Sequence, residues 1–472
     1  MATHDILTTD ELNTLKRLER LPMSRFHWRL LTMGGLGYTF DAMDGAMVAF
    51  LLPPVAALWA LTNEQTGLLG SSILIGYLFG AFLSGTMGDM IGRRTVMMYA
   101  LGIYCIATLI AALSPSWEFL FWCRVGAGFG TGAESAIIAP FLSEFIQSKY
   151  RGRYVGSLSG FFSFGYVFSA LLGYFIVPAT PDGWRIVQVI TALPIVMLLW
   201  WRRSLPESPR WLMQKGRSSE AAATLSKIEA EIVASGKELP SPDTIPMPAQ
   251  TMRRSGSILQ NLAALWSPSM AKSTTMLWIL WISITFSYYG FFTWIPSLLV
   301  KLGMTVTKSF GYSIIIYLAQ IPGYYSAAFL CEKLDRKWTI ILYMLGGGVS
   351  AFFMSGARDE GSITMIGFLM SFFMNGAYAA IYAYTPEVYP TSFRTTGMGV
   401  ASSFGRIGGI AAPIIIGVTY AQIGFSGVFI ITMAVLMLGA LGVAILGMRT
   451  TGKTLEQITA EEIGVPAAVK PA

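Results

Sequence analysis

The sequence predicts an all-α membrane protein with about twelve transmembrane helices in two six-helix bundles. Three observations carry that expectation. Hydrophobic residues make up 54% of the 472-residue chain and charged residues only 12%; the mean hydropathy is +0.56, and soluble chains of this length carry roughly twice the charged fraction. Apolar stretches of about 20 residues, enough to cross a bilayer, recur from Trp28 to the C-terminal tail. Lys and Arg gather in short connections between those stretches, as the positive-inside rule requires.

Taken in order, residues 1–28 are polar and mixed in charge, do not read as a cleaved signal peptide, and are expected to be cytoplasmic. Six spans follow at about 29–59, 65–87, 95–113, 117–145, 153–177 and 185–201, forming a first bundle over 29–201. A cytoplasmic linker, 202–272, holds an amphipathic helical stretch at 219–232 and the Pro-rich run Leu239 to Gln250. Six more spans, at about 273–300, 308–331, 338–356, 362–385, 395–421 and 424–448, form a second bundle over 273–448, and residues 449–472 are a cytoplasmic tail. Threading this layout puts Arg93, Arg94, Lys149, Arg151, Arg153, Lys333, Arg336, Lys337, Arg394 and Arg449 inside, and only Arg124, Arg185, Lys301, Lys308 and Arg358 outside. One helix more or fewer would scatter the basic loops over both faces. Both termini are therefore expected in the cytoplasm. The net charge of +7 forms no single basic stripe and gives no reason to invoke nucleic acid. Cys105, Cys123 and Cys331 are odd in number and widely spaced, and read as core thiols.

Between the second and third spans stands Gly85-Thr-Met-Gly-Asp89-Met-Ile-Gly92-Arg93-Arg94, with glycines for close helix approach and an acid able to pair with neighbouring bases. A degenerate copy, Leu330-Cys-Glu332-Lys-Leu-Asp335-Arg336-Lys337, occupies the equivalent connection of the second half. The first stretch resembles the gate motif of the major facilitator superfamily. Four more resemble that superfamily's sugar-porter and organic-ion branch: Arg124 with Gly126, Gly128 and Gly130; Pro140 to Glu144 leading to Arg151-Gly-Arg153; Pro206-Glu-Ser-Pro-Arg210-Trp; and Tyr384-Thr-Pro-Glu387-Val-Tyr-Pro390 leading to Arg394. The resemblance implies a secondary transporter, not an enzyme. Glu144 with Arg151 or Arg153, and Glu387 with Arg394, are placed to exchange ion pairs with the loops of Asp89 and Asp335, weak pairs that together latch one state of a transport cycle.

Charges inside the spans bear on the substrate, because an ionisable group at mid-bilayer costs at least about 2.5–3.5 kcal/mol unless paired or wet. Asp41 and Asp44 lie three residues apart on one face of the first span, and Glu134 lies at similar depth in the fourth. Neither His4 nor His27 lies in a membrane span, so proton coupling is expected to use Asp41, Asp44 or Glu134; a static role for these acids, bonded to neighbouring helices or to Arg124, is the alternative. Arg406 sits at matching depth in the eleventh span. No acid of the second-half spans shares that depth, which leaves the cation without a fixed partner from its own bundle and open to a substrate carboxylate. Tyr289, Phe292 and Trp294 of the seventh span and Asn375, Tyr378 and Tyr382 of the tenth offer stacking faces and polar tips for a planar ring, although such stripes are more often core than site.

Phe40-Asp41-Ala-Met-Asp44 resembles bacterial nicotinate (niacin) transporters, and Ser403-Phe-Gly-Arg406-Ile-Gly-Gly resembles the eleventh-span motif of organic-anion transporters. The resemblance implies proton-coupled import of a small aromatic monocarboxylate by a monomer of the cell inner membrane, with no cofactor or metal. Other aromatic-acid or phosphate symporters remain alternatives, as does a non-transporting receptor or scaffold. Sugar porters carry glutamines in the fifth and seventh spans, where this sequence has none.

Overall fold

The structure, a computed structural model, describes residues 9–242, 258–389 and 394–450. Among the described residues it is helical and contains no strand. After a short helix α1 (Thr9–Glu19) come α2 (Arg25–Leu58), α3 (Asn63–Ile91), α4 (Arg93–Ala111), α5 (Trp117–Ser143) and α6 (Ser148–Ile176). The sixth apolar stretch is α7 (Gly183–Thr191) and α8 (Met197–Ser204), joined through a 3-10 turn at Leu193–Val196 where Pro194 removes a backbone donor. The linker holds α9 (Pro209–Gln214), α10 (Ser218–Ala234) and α11 (Ile258–Leu265), α10 covering the amphipathic stretch. The second half has α12 (Ala271–Lys301), α13 (Val306–Leu318), α14 (Gln320–Lys333), α15 (Arg336–Gly356), α16 (Glu360–Val388) and α17 (Arg394–Leu446). The helix breaks between α13 and α14 so that Pro322 falls in a first turn, where its missing N–H costs nothing.

Eleven helical segments among the described residues are long and apolar enough to cross a membrane. The last of them, Thr396–Leu446, has 51 residues; at 1.5 Å per residue that is roughly 76 Å, more than twice the hydrocarbon core. It is interrupted at Gly424, whose φ of 58° and ψ of −166° lie in a region open almost only to glycine. The break divides α17 into two spans, which completes the twelve.

Two compact units emerge. The first comprises Met1–Met47, Ile75–Ser169 and Thr180–Arg254. Within it α1 docks on α10: Leu18 and Leu21 join Leu225, Ile228 and Ile232 in one apolar cluster, and Arg17 and Arg20 both reach Glu229 at 2.6 Å. Burial works to raise the Glu229 carboxyl, but the hydrogen bonds and charges of the two arginines outweigh it and hold the group below the usual range. The second unit comprises Val48–Leu74, Ala170–Ala179 and Ser255–Ala472. Here α12 makes its most extensive packing with α17. A Cβ on Gly408 would stand 2.7 Å from the carbonyl oxygen of Ile282, so only glycine allows the two backbones this close.

Gly424→Val is expected to cost about 1–3 kcal/mol, because a Cβ there meets no neighbour and the penalty is backbone strain alone. Thermal unfolding in detergent measures it, and an unchanged midpoint would refute the strain. Glu229 contributes to α1 docking above the ordinary carboxylate range and loses that contribution as pH falls through its lowered pKa. Glu229→Gln is therefore expected to speed hydrogen exchange across Thr9–Glu19 at neutral pH, with the difference from the parent protein vanishing in acid.

Candidate functional site

The first unit gathers the buried acids on one contact between α2 and α5. Asp44 accepts a hydrogen bond from Arg124 at 2.8 Å, with both side chains fully buried. The second guanidinium nitrogen donates to the Asp44 backbone carbonyl at 2.6 Å, and Thr108 donates to the same carboxylate oxygen at 3.3 Å. Three residues earlier on the same face, Asp41 Oδ2 accepts from Ser135 at 2.8 Å, while its Oδ1 has no hydrogen-bond partner. Glu134, also fully buried, has no partner for either oxygen. Its carboxylate lies against Gly37, where a Cβ would stand 2.6 Å away. The three acids therefore differ in pairing: Asp44 is held by Arg124 although its Oδ2 has no hydrogen-bond partner, Asp41 is held by Ser135 alone, and neither oxygen of Glu134 has a partner.

The second unit holds the aromatic residues. Arg406, half-buried on α17, donates to the Tyr289 hydroxyl at 2.9 Å, which corrects the expectation that it has no fixed partner in its own half. A phenol orients a guanidinium without carrying a charge of its own. Tyr288 lies edge-on to Tyr289 at 5.3 Å and to Tyr378 at 5.0 Å, and sits tilted against Phe292 at 4.5 Å. Tyr382 meets Trp281 edge-on at 5.0 Å. Trp294 is fully buried and its indole N–H donates to the Pro413 carbonyl at 3.1 Å, tying α12 to α17. Asn375 is fully buried one turn before Tyr378.

The loop motifs assemble as well. Arg93 pairs with Glu144 at 2.7 Å and with Asp89 at 3.5 Å. Glu207 accepts from the Arg94 backbone N–H at 3.2 Å, Ser208 donates to Glu144, and the Trp211 indole donates to the Asp89 carbonyl at 3.0 Å. Burial pushes the Glu144 carboxyl up, against the pull of Ser208 and Arg93. In the second half Arg336 pairs with Glu387 at 3.1 Å. Among the described residues Glu144 and Glu387 thus pair with Arg93 and Arg336, which belong to the loops of Asp89 and Asp335; the side chains of Arg151, Arg153 and Arg394 lie outside the described residues. Gly92 and Asp335 take the same backbone conformation, with φ of 101° and 88° and ψ of 145° at both. Asp335 therefore occupies the glycine position of the repeat and caps α15 by accepting from the Lys337 N–H at 2.8 Å. Gly85 lies on α3, in open space: a Cβ added there would meet no atom within 4 Å.

The sequence alone singles out neither Glu207 and Ser208 as partners of the first connection nor Gln320, which is almost fully buried at the start of α14. A lone amide inside an apolar run is the available signal for Gln320.

Arg124→Met alone is expected to destabilise the protein by about 3–5 kcal/mol, because it strands the buried Asp44 carboxylate. Adding Asp44→Leu should recover most of the loss. Thermal unfolding of both variants checks this, and a single variant that melts like the parent would show that the pair carries no such cost.

The profile of the family described as sugar (and other) transporter matches residues 34–461. The niacin transporter NiaP of Acinetobacter baylyi is 40% identical, over 95% of this chain and all of that protein. The putative niacin/nicotinamide transporter NiaP of Bacillus subtilis is 34% identical, over 91% of this chain and 98% of its own length. The xylose transporter XylE of E. coli in a partially occluded inward-open conformation superposes with a TM-score of 0.72 at 18% identity, covering 91% of this chain and all of that one. By profile, end-to-end relatives and fold together, the chain belongs to the sugar (and other) transporter family of the major facilitator superfamily.

Proposed function

We propose that this transporter imports a small aromatic monocarboxylate, nicotinate, by alternating access with proton symport. The observation that carries the reading is Arg406, oriented by the Tyr289 hydroxyl at 2.9 Å beside the rings of α12 and α16. A guanidinium presents a planar fork to a carboxylate, and tyrosine and phenylalanine faces receive a flat ring. The names of the two bacterial relatives support the same substrate. A neutral sugar has no use for the cation, and phosphate has none for the rings.

Proton handling falls to Asp41 and Glu134. Both are buried with unpartnered oxygens, and among the described residues neither is held in an ion pair. Asp44, paired with Arg124, shapes the site and can respond when its neighbours change charge. The pairs Arg93–Glu144 and Arg336–Glu387, each weak and partly exposed, act with Gly92, Arg94 and Asp335 as latches within their own connections. The distribution of basic loops supports a cytoplasmic-membrane location with both termini inside.

Uptake of labelled nicotinate into proteoliposomes, with and without an inward proton gradient, tests the reading. Accumulation should require the gradient, and Arg406→Ala should weaken nicotinate binding by at least about tenfold. Asp41→Asn or Glu134→Gln should preserve exchange of bound substrate and abolish gradient-driven accumulation. Normal nicotinate binding by the Arg406 variant would remove that residue from the substrate site, and transport of neither nicotinate nor benzoate would defeat the anion reading.

A further inference from the structure

Three polar side chains outside the carboxylate-binding arrangement are buried without satisfied hydrogen bonds. Gln320 on α14 is 1% exposed and its amide nitrogen has no partner. Asn375 and Ser371 on α16 are fully buried, and the Asn375 Oδ1 and the Ser371 hydroxyl have none either. The orientation of the Asn375 amide is fixed: its nitrogen donates to the Ser371 carbonyl at 2.8 Å, and a carbonyl can only accept, so the oxygen is the free end.

These groups belong to one region of the second unit. A Cβ on Gly323 would stand 2.4 Å from the Phe372 carbonyl oxygen, so α14 and α16 touch backbone to backbone one turn after Gln320 and next to Ser371. The same region adjoins the aromatic residues. Tyr317, one turn before Gln320, lies 5.0 Å edge-on to Phe292 and donates to its carbonyl at 3.0 Å. Phe292 packs on Tyr288, and Tyr288 on Tyr378, one turn after Asn375. Two free donors and one free acceptor thus border the rings proposed to receive the substrate. A buried group left unpaired costs about 1–3 kcal/mol, and three such groups on two helices that touch are what a polar ligand atom would satisfy.

Resting on the aromatic-acid reading above, we propose that Gln320, Ser371 and Asn375 form a hydrogen-bonding subsite that reads the ring nitrogen of a heteroaromatic acid. The Gln320 amide nitrogen and the Ser371 hydroxyl suit the lone pair of a neutral pyridine nitrogen. The Asn375 oxygen suits the same nitrogen when it carries a proton. A benzene ring of the same shape leaves all three unpaired, so the patch sets pyridine carboxylates apart from benzoate.

Binding of nicotinate and of benzoate to the purified full-length protein in detergent tests the subsite, using near-isosteric Gln320→Met and Asn375→Leu. Gln320→Met should weaken nicotinate binding by about tenfold or more where the ring nitrogen is neutral, Asn375→Leu should do so only where that nitrogen is protonated, and both should leave benzoate binding within about twofold, so that benzoate reports an intact fold. Equal loss for both acids, or no loss for either, would overturn the subsite, the latter showing amides satisfied by water alone. A parent protein that binds the two acids equally would overturn the subsite while leaving the aromatic-acid reading in place. A parent protein that binds neither would overturn both.

Discussion

A charge inside hydrocarbon must find a partner, shed its charge or be wet, and this constraint organises the protein from its first span onward. The pair of Asp44 and Arg124 is one solution: the guanidinium donates to both the carboxylate and the backbone carbonyl of the same residue. Asp41 and Glu134, on the same helix contact, are another. Each keeps at least one buried oxygen without a hydrogen-bond partner. Three carboxylates that look alike in sequence are thus held differently: one by an arginine, one by a serine hydroxyl and one by no hydrogen bond.

Close helix approach is the second organising feature, and small residues set its terms. Glycine at position 37 leaves room for the Glu134 carboxylate, and glycine at 408 brings α17 onto α12 so that Arg406 can meet Tyr289. The two charged side chains are thus placed by residues with no side chain of their own. The two inter-span connections show the same economy. Gly92 and Asp335 adopt one backbone conformation, and each is followed by an arginine paired to a glutamate at the end of a later span. The internal repeat is therefore preserved more faithfully in backbone and pairing than in residue identity, since an aspartate stands where the first copy has glycine.

Much of this is legible in the sequence. Apolar length and the asymmetry of basic loops are enough for a helical membrane protein with twelve spans, because lipid permits few ways to satisfy a backbone. The charges inside the spans are equally visible, since Asp41, Asp44, Glu134 and Arg406 stand among long apolar stretches. Less visible is the amide at Gln320, because one polar residue beside a proline reads as a helix irregularity until its burial is known.

What the sequence by itself determined is therefore the class of fold and the inventory of unusual residues, both consequences of the one-dimensional cost of polarity in lipid. Only the tertiary structure decided the pairings: that Arg124 closes on Asp44 and not on Asp41, that Arg93 and Arg336 take Glu144 and Glu387, and that Arg406 leans on a phenol. Pairing depends on which helices touch and at what rotation, and those are set by side-chain packing between segments far apart in the chain, information that hydropathy and spacing along a single helix do not contain.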